Sequence, residues 1–228
     1  MIDHVRDLES VREATERLLT AAASLDNAAV AEPSRLPGWS RGHVLAHLAR
    51  NADALVNVLE GRPMYASAQA RDVDIERDAP RPLDIQLADL RESAARFQAA
   101  GAVPADWSRT VELRNQVTDT ASAVPFRRWI EVELHHVDLG IGYELEDLSE
   151  EFTEREVDFL TERFTGHPEV PPTHVTDGTR AWSTGRAAGR PEVTVTGRRA
   201  DILGWLAGRR DGSALSTEGG PLPALPPL

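Results

Sequence analysis

The chain contains no cysteine and no lysine. The first absence removes disulfides, cysteine-ligated metals and a protein thiol nucleophile together. The second leaves all 25 basic residues as arginine, and without a lysine amine there is no Schiff-base chemistry. Runs of basic residues are missing too. With 37 acidic side chains the formal net charge is −12, a balance that disfavours nucleic acid, whose phosphates need clustered positive charge, and an acidic membrane surface likewise. No apolar stretch approaches the length needed to cross a bilayer, and the opening MIDHVRDLES carries acids where a secretory leader has bases and then an apolar run. A soluble cytoplasmic protein is expected, as a monomer or homodimer. The excess of arginine and alanine reads as genomic base composition rather than function.

What is present suffices for a sizeable core: 228 residues, 41% of them hydrophobic. A change of pattern near residue 147 divides the chain into 1–147 and 148–228. In the first part apolar residues recur at three- and four-residue steps, which predicts four amphipathic helices. Their stripes run through Leu8, Val11, Thr15, Leu18, Ala22 and Leu25; through Leu45, Leu48, Ala52, Leu55 and Leu59, with Ser40 as N-cap; through Leu83, Leu87, Leu90, Ala94 and Phe97, with Pro82 just before; and through Phe126, Ile130, Leu134, Val137 and Ile141, ending near Gly140 to Gly142. The second and third are joined by a long acidic connection. Four such stripes leave water by facing one another, so an antiparallel four-helix bundle is expected.

In the second part Thr153 and Glu156 suggest a capping box for a short helix, followed by proline-rich turns around Pro168 to Pro172. The period then drops to two. Strands are expected near Thr179 to Ser183 and Val193 to Thr196, then a helix from Ala200 to Ala207 closed by Gly208. The whole reads as an α+β chain, a helical bundle followed by a small α/β domain. The tail PLPALPPL is a surface strap or a disordered end.

Glu131 and His135 stand four apart in WIEVELHHVDLG, about 40° around a helix axis, so their side chains can meet one ligand. Asp138 follows on the same face. On the second helix His47 borders the apolar stripe and Asn51 lies one turn further. Two imidazoles and a carboxylate can bind a divalent ion between bundle helices and leave a coordination position open, as catalytic zinc sites do. The spacing alone equally describes a salt bridge or packed core histidines. His43, four before His47, can serve as an alternative ligand or help to cap its helix. His136 points about 100° away from His135 and is expected to pack. His4, His167 and His174 lie in ends or turns, where no role is expected.

The passages LPGWSRGHVLAHLARNADAL, RPMYASAQARDVDIE and EVELHHVDLG resemble the mycothiol-dependent maleylpyruvate isomerase family, and the resemblance covers nearly the whole chain. It implies a DinB-like metal-binding bundle, with His47, Glu131 and His135 as ligands of zinc or another divalent metal. It also implies a small C-terminal domain that covers the metal pocket and supplies an arginine for catalysis or substrate binding. In WLAGRRDG that residue is Arg209, with Arg210 as the adjacent alternative, and an arginine suits a substrate carboxylate.

The implied reaction turns maleylpyruvate into fumarylpyruvate. A thiolate adds to the conjugated alkene, the resulting single bond rotates, and expulsion of the thiolate restores the alkene in its trans form. The chain has no thiol of its own, so mycothiol is the implied nucleophile. A free thiol with a pKa of about 8.5 is only a few per cent thiolate near neutrality, whereas metal coordination makes it thiolate outright. Two other outcomes use the same residues: a mycothiol S-transferase, whose adduct with a small electrophile does not collapse, and a non-catalytic metal-binding bundle. Both histidines are expected to donate their second ring N–H to a neighbour, and Asp138 is a candidate partner.

Overall fold

The structure is a computed structural model and describes residues 3–103, 105–187 and 190–227. The chain divides into two compact units, Met1–Tyr143 and Glu144–Leu228. The first holds four long helices, α1 (His4–Ala22), α3 (Arg41–Leu59), α5 (Leu83–Ala102) and α6 (Val124–Asp138), at the places the apolar stripes predict. Each packs against two of the others in a closed ring, α1 on α6, α6 on α3, α3 on α5 and α5 on α1. Helix α3 is the most deeply placed. Leu45, Leu48 and Leu55 are almost fully buried, and each such side chain contributes about 1.5–3 kcal/mol relative to exposure. Ser40 caps α3, its hydroxyl accepting from the His43 amide while His43 Nδ1 accepts from the Ser40 amide.

Two helices were not legible in the stripes. Asn27–Ala31 forms a short α2, and the acidic connection contains α4 (Ala68–Asp78), opened by Ser67 as N-cap. Helix α4 has little apolar surface; Ile75 is buried while Val73 is exposed. It lies against α3 because residue 42 is glycine: a side chain there would run into the carbonyl of Ala79, just past the end of α4. A β-hairpin, β1 (Thr110–Glu112) with β2 (Thr118–Thr120), precedes α6. Its turn holds Asn115 and Gln116 in the left-handed region, at φ 59° and 62°. The predicted stripe of α6 is also displaced. Trp129 and Val132 are buried and Ile130 is partly exposed, because this helix packs on two neighbours and its second buried flank is polar. Helix α6 ends as expected, with Gly140 at φ 65°.

The second unit begins with α7 (Glu150–Arg163), longer than expected and capped by Ser149, whose hydroxyl accepts from the Phe152 amide; Thr153 and Glu156 lie inside the helix rather than at its start. A mixed sheet follows in the order β4-β3-β5-β6, from β3 (Thr173–Thr176), β4 (Ala181–Thr184), β5 (Val193–Thr196) and β6 (Ser216–Glu218). Strands β4 and β5 fall where alternation predicts them, whereas β3 and the exposed edge strand β6 were not anticipated. Val175, Val193 and Val195 are buried on one face. Helix α8 (Arg199–Leu206) packs on α7 and is followed by Gly208 at φ 68°. The tail is a strap: the Pro223 carbonyl accepts from Trp205 Nε1 at 3.2 Å. Its last residue, Leu228, lies outside the described residues. Among the described residues no helix is long and apolar enough to cross a membrane.

Candidate metal centre

Helices α3 and α6 touch along a seam whose α3 side carries His47 and, one turn on, Asn51. The α6 side carries Arg128, Glu131 and His135, spaced by three and four residues and so stacked on one face. The packing brings the predicted triad together. His47 Nε2 lies 2.9 Å from Glu131 Oε2, and His135 Nε2 lies 3.3 Å from the same oxygen. One donor atom from each of the three falls within 4.8 Å of the others, and the two imidazoles meet edge to face with centroids 4.7 Å apart. The side chains of His47 and His135 are only 6% and 12% exposed while that of Glu131 is 32% exposed, so the group opens to solvent on the carboxylate side.

Electrostatics sorts the three. Burial pushes His47 down to about 4, against the pull of Glu131, so it is neutral near neutrality. Burial acts on His135 in the same sense, but hydrogen bonding to Asp138 and Glu131 outweighs it and raises this imidazole above its ordinary value. Burial also opposes charge on Glu131, yet the two histidines together hold its carboxyl well below the usual range.

These residues fit a divalent ion. Nitrogen and oxygen ligands about 2.0–2.2 Å from one zinc sit roughly 3.3 Å apart at a tetrahedral angle, close to the 2.9 Å and 3.3 Å between Glu131 Oε2 and the two imidazole nitrogens. The second nitrogen of His135 has the expected partner, with Nδ1 donating to the buried Asp138 Oδ2 at 2.8 Å. The expectation for His47 is corrected. Its Nδ1 faces Arg71 of α4, whose Nη2 lies 3.3 Å away and can only donate. His47 here therefore carries its proton on Nε2, towards Glu131. Coordination through Nε2 would require that proton on Nδ1 and Arg71 turned away from it. Trp39 packs over the His47 ring at 5.4 Å.

His43 is outside the cluster and completes the cap of α3. His136 is buried and stacks on Tyr143 at 4.0 Å, a packed histidine as expected, and His4 stacks on Trp107 at 4.2 Å. A cleft of about 720 Å³, whose lining includes none of the triad, is walled by the segment after α3, which includes Tyr65, and by the β1–β2 hairpin, which carries Arg114. Tyr65 bonds with Arg71 and feels the charge of Glu131; its burial, the larger effect, raises its hydroxyl above the ordinary value.

The profile of the mycothiol maleylpyruvate isomerase N-terminal domain matches residues 11–140, and the profile of the C-terminal domain of that family matches residues 147–227. The chain belongs to the mycothiol maleylpyruvate isomerase family. A crystal structure of a mycothiol-dependent maleylpyruvate isomerase is similar to it at 28% identity with a TM-score of 0.89, covering 99% of this chain and 97% of the other. The crystal structure of a histidine-to-alanine mutant of that enzyme matches with the same figures. No curated protein matches.

For a member of this family, sequence reasoning passed over Arg71, Tyr65 and Arg128. The first two lie within RPMYASAQARDVDIE, and the third stands one turn before Glu131. Arg128 is fully buried. Its Nη1 donates to Asn51 Oδ1 at 2.7 Å, and Nε and Nη2 have no hydrogen-bond partner among the described residues. Burial pushes this guanidinium down to about 10, against the pull of Glu131. An orphaned buried donor costs about 1–3 kcal/mol, so the chain keeps Arg128 at the expense of stability. Arg209 lies in the second unit, after α8, its Nη1 donating to the Ala207 carbonyl at 2.7 Å. Its neighbour Arg210 donates to Asp201 at 2.5 Å and to Glu146 at 2.7 Å.

Asp138 fixes which nitrogen of His135 faces the triad. Replacing it with asparagine keeps the shape and removes the anion, and zinc affinity should fall roughly 10–100-fold. Titration against a chromogenic chelator measures this; an unchanged affinity removes Asp138 from the site.

Proposed function

We propose that this chain is a metal-dependent isomerase that uses mycothiol to convert maleylpyruvate into fumarylpyruvate, with His47, Glu131 and His135 holding zinc or another divalent ion. The observation that carries the reading is the convergence of those three donors from two helices on one point that opens to solvent through Glu131. A divalent ion there would keep an incoming thiol in its reactive thiolate form at neutral pH. The chain's residues set the conditions. Two neutral imidazoles and one carboxylate leave a net single positive charge, which one thiolate neutralises. Asp138 orients His135 and strengthens it as a donor, and Trp39 and the low exposure of His47 keep water from that side.

Arg209, in the C-terminal domain, residues 148–228, is assigned to a substrate carboxylate. A small electrophile and a low-molecular-weight thiol are the partners, and the cytoplasm is the place of action, for a monomer or homodimer.

The test follows the loss of cis absorbance of maleylpyruvate with mycothiol, with and without a chelator, while free thiol is counted. Isomerisation predicts substrate loss with the thiol conserved and turnover abolished by the chelator. Stoichiometric thiol consumption makes the protein an S-transferase, and full activity in metal-depleted protein rejects the metal site.

A further inference from the structure

Arg128 is an unusual residue to find closed inside a helical bundle. It is fully buried, it has no ion-pair partner among the described residues, and two of its three nitrogens donate to nothing in the described chain. Buried guanidinium groups are ordinarily paired with a carboxylate, because desolvating an unpaired charge is expensive. Here the one partner is the neutral side chain of Asn51. Several neighbouring arginines have such partners: Arg50 pairs with Asp89 at 2.6 Å, Arg96 with Asp53 at 2.7 Å and Arg127 with Asp119 at 2.7 Å. Arg128, which is fully buried and has none among the described residues, lies on the same face of α6 as Glu131 and His135, three residues before the first and roughly 4.5 Å along the axis from it.

We propose that Arg128, held by Asn51, is a carboxylate-binding subsite within the helical unit that takes one end of a small dianionic substrate beside the His47, Glu131 and His135 cluster. The proposal deepens the function above and rests on it for the identity of the substrate. The guanidinium offers Nε–H and Nη2–H, which are parallel donors and match the two oxygens of a carboxylate. Asn51 occupies Nη1 and thereby fixes the plane in which that pair lies. Glu131, Tyr65 and Asp53 are the groups whose charge acts on Arg128. Tyr65 also forms part of the wall of the cleft of about 720 Å³, so one residue both borders the cleft and acts on the guanidinium. A carboxylate on Arg128 leaves the rest of a small ligand about one turn of helix from the cluster, and the cis-dicarboxylate character of the ligand follows from the proposed function.

Maleate is the probe, with its neutral dimethyl ester as control, titrated calorimetrically into zinc-loaded and chelator-treated protein. Two variants are compared with the wild type. Arg128→Gln keeps a donor for Asn51 and removes the charge. Asn51→Asp supplies Arg128 with the internal carboxylate it lacks, so it competes with the ligand while favouring the fold. Maleate, and not the ester, should bind wild-type protein with or without zinc. Both variants should weaken maleate at least 10-fold with zinc content unchanged, and Asn51→Asp should raise Tm. Wild-type protein that fails to bind maleate overturns the subsite, as does undiminished binding by either folded variant. The two readings separate cleanly. Arg128-dependent maleate binding without turnover of maleylpyruvate leaves the subsite standing and rejects the isomerase. Mycothiol-dependent turnover with Arg128-independent maleate binding does the reverse.

Discussion

With His47 replaced by alanine, the purified protein should hold less than about a tenth of the wild-type metal and turn over roughly 10³-fold more slowly. The loss of metal follows from where the ligands stand. Glu131 and His135 belong to one helix, and His47 is the donor contributed by its neighbour, so its removal leaves two ligands where a catalytic zinc site needs three. The loss of rate follows from the several kcal/mol that a metal contributes by stabilising charge, at a tenfold change per 1.36 kcal/mol. His135→Ala should behave alike. Because His47 is buried between Trp39 and His135, the alanine variant also leaves a cavity, and His47→Gln, which fills more of it, is the control for folding. Metal content by elemental analysis and turnover on the same preparation decide the matter. Activity that survives when metal is lost separates the triad from the chemistry.

The second large effect should divide two adjacent arginines. Arg209→Ala should lower kcat/KM about 10²-fold with zinc content unchanged, the value of a charge-assisted pair with a carboxylate, about 3 kcal/mol. Arg210→Ala should do the opposite. Its stem packs over Gly204 of α8 and its two ends tie Asp201 to Glu146. Asp201 is nearly buried and keeps Arg198 as a second partner at 2.7 Å, so the expected cost is about 1–2 kcal/mol of stability, seen as a lower melting temperature with kinetics intact. Should Arg210→Ala lose turnover without losing stability, the substrate role passes to Arg210.

The four long helices were readable because each hides an apolar stripe, and burial enforces the period that reveals it. Helix α4 was not, for the converse reason: AQARDVDIERD has two large apolar residues, and one of them, Val73, faces water. Its order comes from the Ser67 cap, from ion pairs such as Arg77 with Asp78 at 2.7 Å, and from the space left at Gly42. None of these has a period. The spacing of Glu131 and His135 was visible, but whether His47 meets them depends on how α3 and α6 pack, and the family resemblance supplied what local pattern does not contain. Arg71 escaped notice because α4 itself did. Arg128 was within reach, since it repeats the phase of Glu131 and His135, yet in FRRW its neighbour Arg127 looks the same and proves to be an ordinary partner of Asp119.

The missing side chain at Gly42 ties the reactive cluster to a position with no chemistry of its own. Helix α4 brings Arg71 to His47 only as long as its far end can rest on the backbone of α3. Even one methyl group at residue 42 would act as a wedge between those two backbones. A change there would shift the guanidinium that faces His47 Nδ1 without removing any polar group.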